Sequence, residues 1–241
     1  MTMPLPSVHP AYQGAWQRTL YAEPHTPPYR ATDTTTRVVW LQGQQWHADL
    51  RIPLESPDFS HVQSLAACNR AQLEWLASLT AFAGLTQIDG GVCTWHRLQD
   101  LCPSLEKDVG LLRWQADTLE ERHPVGHYVE HWQRLTAPSA AETVRVDGQG
   151  RLRWLALGDH AMAITPRPPI ADQSDPFALP RHASLDDLRR RASLCIDYCQ
   201  RGPNGWHIEL STQPWRQDHV LNDATCSSTN AMTPAFPRSP S

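Results

Sequence analysis

Most of the marks that tie a sequence to a chemistry are missing from this chain of 241 residues. No window holds the roughly 20 consecutive apolar residues that cross a bilayer as a helix. The opening residues, MTMPLPSVHP, combine neither a basic start nor an apolar run, so no secretory signal is expected. A cytoplasmic location follows as the expectation, with the six cysteines as reduced thiols. Cys195 and Cys199 have no CxxC or paired histidine to complete a metal set, and Cys93 and Cys102 stand apart, so these side chains read as small buried hydrophobes. No metal or cofactor is expected. There is no Gly-x-Ser-x-Gly elbow, no P-loop and no dinucleotide fingerprint. A net charge of −4 argues against a nucleic-acid partner. The one dense basic run, Arg189–Arg191, follows Asp186 and Asp187 and reads as the solvated face of a helix.

What the chain does have is alternation. From Trp46 the residues Trp46, Ala48, Leu50 and Ile52 fall on one side of a strand and His47, Asp49 and Arg51 on the other. The β-branched and aromatic run RVVWLQ (37–42) precedes it as a second strand, with Gly43-Gln44 as a type II′ turn. Further strands are expected at 15–21, 84–88, 92–98, 110–115, 118–122, 127–135, 143–146, 152–156, 160–165, 194–200 and 206–210, with turns at Asp89–Gly91, Ala116–Asp117, Asp147–Gly150 and Gly202–Gly205. Residues 69–83 form the best helix, with Asn69 and Gln72 as a capping box and Gly84 as a left-handed stop. A proline-rich loop spans 166–180, and a short helix follows behind Ser184. The domain is set at 14–218 between tails at 1–13 and 219–241, whose outer parts, 1–12 and 224–241, are rich in proline, serine and threonine. The pattern predicts a mainly β fold, a single antiparallel barrel with one long and one short helix, the long one at the rim or across an opening.

Each polar residue of such a barrel has two readings. His47, Asp49 and Arg51 face water if the apolar set of that strand meets the core. They face inward if the barrel holds a ligand among a few polar groups. Trp95 and Arg97 share one face of their strand, Thr94 and His96 the other. In the segment 127–134, Tyr128, Glu130, Trp132 and Arg134 share a face that either sets a carboxylate between aromatic walls or lies at an exposed edge with ordinary ion pairs. His127 and His131 lie about 13 Å apart by strand rise, too far to share a metal. Asp159 and His160 are adjacent, but strand neighbours point to opposite faces.

The ordered motifs DTTTRVVWLQ (33–42), WHADLRIP (46–53), FAG (82–84), CTWHR (93–97), YVEHW (128–132), GDH (158–160) and STQPWR (211–216) resemble a family of bacterial lipocalin-like, calycin-type proteins. That family is similar to one barrel of the fungal two-barrel Hri-type protein. The resemblance covers residues 14–218 and implies a calycin-like barrel, with no catalytic residues to carry over. The chain departs from the pattern at Cys195–Cys199 and at Gln213. The expected function is to hold a small, partly apolar organic molecule inside the barrel. Trp40, Asp49, Arg51, Trp95, Arg97, Tyr128, Glu130 and Trp132 form the expected site, with Arg51 and Arg97 on an anionic group and Glu130 on a donor or cation. The alternatives are an enzyme in the same cavity, with Glu130 or His96 as acid–base residue, and a filled barrel that docks a protein partner on its surface.

Overall fold

Strands form where the alternation places them: β1 (Gly14–Glu23), β2 (Ala31–Asp33), β3 (Arg37–Gln42), β4 (Trp46–Ile52), β5 (Thr80–Asp89), β6 (Val92–Asp100), β7 (Asp108–Gln115), β8 (Thr118–Arg122) and β9 (Val129–Arg134). The computed structural model describes residues 5–137, 140–168 and 183–222. Neighbours pair antiparallel in the order β1-β3-β4-β5-β6-β7-β8-β9, with β2 a short return on β1. Trp16 of β1 then pairs with Arg134 of β9, and Tyr21 with Glu130. That pairing closes eight strands into an antiparallel barrel of lipocalin-like form, in agreement with the expected fold class.

Closure leaves no free edge along the barrel wall, so the strands that follow build a sheet of their own. It runs in the order β10 (Glu142–Val146), β11 (Leu152–Leu157), β12 (His160–Thr165), β13 (Cys195–Gly202), β14 (Gly205–Ser211) and β15 (Val220–Leu221). The last of these lies inside a segment expected to be tail. One face of this sheet, with Leu155, Met162, Ile196, Tyr198 and Leu210, packs on the outer face of β3, β4 and β5 in a single buried cluster. Helix α1 (Arg70–Ser78) adds Leu73, Leu76 and Ala77 to the same cluster, beside the barrel wall, and α2 (Leu185–Arg191) adds Leu188.

This arrangement removes the choice posed for β4. Trp46, Ala48 and Leu50 face the added sheet while His47 and Asp49 face the barrel interior, and every residue from Trp46 to Leu50 is buried. The strand still alternates because its two buried environments differ, one apolar and one polar.

Three local expectations shift. The capping box of Asn69 and Gln72 is present, but the helix stops at Ser78 and residues 80–83 join β5, where Phe82 pairs with Asp49. Pairing with β4 overrides the helical spacing of Phe82. Gly84 is no helix stop; it lies at a register shift where an added Cβ would sit 1.9 Å from the His96 carbonyl oxygen. At the β3–β4 hairpin the Gly43 amide donates to the Trp46 carbonyl at 2.8 Å, which puts Gln44 and Gln45 in the turn, and Gly43 has no positive φ. Its missing side chain makes room for Glu142 instead, whose Oε1 would lie 2.3 Å from a Cβ. Residues 5–13, expected as tail, dock on the barrel: Val8 is buried and its amide donates to the Gln44 carbonyl. The proline-rich loop falls mainly in 169–182 and the final tail in 223–241, outside the described residues.

Because barrel and sheet share one core, Leu50→Ala in the barrel wall and Ile196→Ala in the sheet should each cost about 2–5 kcal/mol. Both should shift one common urea transition, seen alike by tryptophan fluorescence and far-ultraviolet circular dichroism. Two separate transitions would contradict the shared core.

Candidate functional site

Period-two geometry sends Arg18 of β1, Asp49 and Arg51 of β4, and Glu130 of β9 into the closed barrel. There the charges pair. Glu130 Oε1 accepts from Arg18 Nη1 at 2.7 Å and from Arg51 Nη1 at 3.1 Å. Arg51 Nε donates to Asp49 Oδ1 at 2.8 Å, and Arg18 Nη2 reaches Asp33 at 2.7 Å. Burial works against the Arg51 charge, but Asp49 and Glu130 outweigh it and hold the guanidinium ionised. Such a network is stable only while all its members are paired.

Glu121 of β8 enters the same space differently. Trp132 Nε1 donates to its Oε2 at 3.2 Å, and the Tyr128 hydroxyl lies 3.1 Å from its Oε1. Burial, and then the Glu130 carboxylate, push the Glu121 carboxyl well above the usual range despite Arg51. The shift favours its neutral form.

Aromatic rings fill the space around these groups. Trp40 packs edge-on against Trp95 at 5.8 Å and Trp132 at 5.5 Å. What remains is a hollow of about 10 Å³, room for about one water. Trp40, Asp49, Arg51, Phe82, Trp95, Asp108, Glu121 and Trp132 line it. The Trp40 indole N–H has no partner.

Outside the hollow the wall opens. Pairing of β6 with β7 ends at Trp95 and Asp108, and the chain between them splays into a loop. The gap is a cleft of about 410 Å³, lined among others by Thr94, Trp95, His96, Arg97, Asp100, Glu106, Lys107 and Asp108. Trp95 and Asp108 belong to both cavities. Arg97 stacks on the Phe82 ring at 3.6 Å and pairs with Asp108 at 2.6 Å and Asp100 at 3.3 Å.

Of the residues expected from sequence, Trp40, Asp49, Arg51, Trp95 and Trp132 line the hollow together. Glu130 lies behind Arg51, Tyr128 supports Glu121, and Arg97 stands in the cleft. The exposed-edge alternative for Glu130 fails, since it is 1% exposed. The chain's own carboxylates pair with both guanidinium groups expected to hold an anion, Asp49 and Glu130 with Arg51, and Asp108 and Asp100 with Arg97. Sequence reasoning missed Arg18, Phe82, Asp108 and Glu121. In TLEER (118–122) the inward Leu119 places Glu121 on the same face, a signal available from alternation alone.

The remaining candidates have structural partners. His47 Nδ1 donates to Thr86 Oγ1 at 2.9 Å, and Thr86 passes its own proton to Gln42 Oε1 at 2.8 Å. Burial, then the charges of Arg97 and His96, lower the His47 pKa to about 3 and keep the ring neutral. His160 bonds the Tyr198 hydroxyl at 2.6 Å rather than forming a pair with Asp159. Burial and the Asp197 carboxylate push the Cys195 thiol up to about 12, so it is inert. Among the described residues no three His, Cys, Asp or Glu side chains converge on a common metal position.

Glu121 gives a pH test. Its folded pKa lies above the unfolded one, so it adds stability below the ordinary carboxyl pKa that is lost as pH rises through the folded value. Relative to wild type, Glu121→Gln should therefore gain stability as pH rises above the ordinary carboxyl range. Parallel stability profiles of the two proteins in urea would show Glu121 to be ionised in the fold.

Comparison with known protein families, with curated proteins and with solved structures gave no match.

Proposed function

We propose that the barrel binds a small, partly apolar organic molecule, taken in through the cleft between β6 and β7 rather than held in a preformed central cavity. The observation that carries this reading is the double role of Trp95 and Asp108, which line both the cleft of about 410 Å³ and the inner hollow. The cleft falls in the ordinary range for small-molecule sites, about 300–1,000 Å³. The hollow alone is too small for any organic ligand, so a molecule that reaches it must move the Trp95 ring. An apolar body then lies on indole faces while polar groups meet Asp108 at the rim.

An enzymatic reading rests on a single observation, the neutral Glu121 carboxyl beside the hollow, which is the form a general acid needs. Turnover lost in Glu121→Gln while binding persists would favour it. The ordered motifs lead us to place the chain in the bacterial lipocalin-like family it resembles. We place it in the cytoplasm, where buried thiols such as Cys68, Cys93 and Cys199 stay reduced. No described helix is long and apolar enough to cross a membrane.

Native mass spectrometry of the protein purified without added ligand tests the binding reading. The expected result is an extra mass that disappears on denaturation and is lost in Trp95→Ala. Lys107, the single lysine of the chain, lines the cleft and gives a second readout. Its acylation should slow when the site is occupied. A bare mass, together with a Lys107 labelling rate that no small-molecule extract alters, would end this reading.

A further inference from the structure

We infer that the molecule taken by this site carries a positively charged nitrogen, an ammonium group on an apolar body, seated against Trp95 and Asp108 and reaching toward Glu121. The inference rests on the binding reading above and names its ligand class.

Charge balance is the first support. Cleft and hollow together are lined by the carboxyl groups of Asp49, Asp100, Glu106, Asp108 and Glu121. Three cations face them, Arg51, Arg97 and Lys107. Arg51 is paired with Asp49 and Glu130, and Arg97 with Asp108 and Asp100. Glu121 has only the neutral donors Trp132 and Tyr128, and among the described residues it makes no ion pair. Among the described residues it is an interior carboxyl near Arg51 but without a direct ion pair. An anionic ligand would add to this excess of negative charge, whereas an ammonium group would offset it.

The walls give the second support. Aromatic faces attract cations, most strongly when water is excluded, and the site already shows this with the Arg97 guanidinium on Phe82 at 3.6 Å. Trp40, Trp95 and Trp132 offer further indole surface around the hollow. Position is the third. Gly110 of β7 lies where Trp95 and Glu121 meet: an added Cβ would sit 3.0 Å from the tip of the Trp95 ring and 2.8 Å from Glu121 Cγ. Displacing the Trp95 ring therefore uncovers the carboxyl directly, and the hollow beside it has about the volume of one water, the size of an ammonium head.

The titratable and charged groups facing Glu121 are Glu130 and Tyr128 from the β9 side, Asp108 from β7, Arg51 from β4 and Cys93 from β6. With the site empty, burial first and then the Glu130 and Asp108 carboxylates favour the protonated form of Glu121. When an ammonium ion arrives, the carboxyl ionises, its proton passes to the buffer, and the resulting carboxylate pairs with the bound cation.

The test is calorimetric titration with 2-phenylethylammonium, 2-phenylethanol and 3-phenylpropionate, which share an apolar body and differ in charge. The ammonium should bind with one site per chain and about ten-fold or more tighter than the alcohol, about 1.4 kcal/mol, with the carboxylate weakest. Titrations in buffers of different ionisation enthalpy should reveal proton release on ammonium binding. Glu121→Gln should abolish that release and narrow the ammonium preference by about ten-fold. Asp108→Asn, at the half-buried rim, should narrow it too, and serves if Glu121→Gln does not fold. Equal binding of the alcohol, or tighter binding of the carboxylate, overturns the cation assignment and leaves the binding reading standing. Binding of none of the three overturns the assignment alone if native spectra carry an adduct, and both readings if the protein is bare and no small-molecule extract alters Lys107 labelling.

Discussion

Glu130 Oε1, shared between Arg18 and Arg51, ties together three strands that are far apart in the chain. Arg18 comes from β1, Arg51 from β4 and Glu130 from β9, so the contact exists only once β9 has closed on β1. Charges taken out of water require good geometry and full pairing. Asp49 and Asp33 complete it here, Asp49 on Arg51 Nε and Asp33 on Arg18 Nη2. The interior therefore cannot be reduced to an oil-filled cylinder; its polar array sets the orientation of the side chains packed around it.

The tryptophans exclude water from this array. Trp16, Trp40, Trp95 and Trp132 form one cluster inside the barrel with Val38, Cys93, Leu112 and Leu119. Their packing leaves almost no room at the centre, and desolvation is what keeps Glu121 protonated. Beyond Trp95 and Asp108, β6 and β7 part, and the cleft forms against a tryptophan that also belongs to the interior. The Trp95 ring lines both the filled centre and the cleft that we propose as the ligand site.

The added sheet covers the barrel wall that faces it. β4 is covered on both sides, by the charged interior and by Leu155, Met162, Ile196 and Leu210 outside. The mouth at β6 and β7 has no such cover: Leu98 and Leu105 are exposed there. Burial is concentrated on the β3–β5 side, and the exposed apolar side chains lie beside the gap between β6 and β7.

By alternation alone the sequence determined the strands, most of the turns, and the grouping of Trp40, Asp49, Arg51, Trp95, Arg97, Tyr128, Glu130 and Trp132 on strand faces, because side-chain direction in a strand is set by a local period of two. The same rule reached Glu121 through Leu119 had it been applied to β8. Sequence could not say which face was interior, since a polar face looks alike whether it meets water or buried counter-charges. Tertiary structure decided that, through the β1–β9 closure and the sheet laid over Trp46, Ala48 and Leu50. It also decided the end of α1, where pairing of Phe82 with Asp49 outweighed helical spacing, and the roles of Arg51 and Arg97. Those guanidinium groups were legible as charges, but whether a charge is free for a ligand depends on partners contributed by strands distant in sequence, and only the closed barrel brings them together.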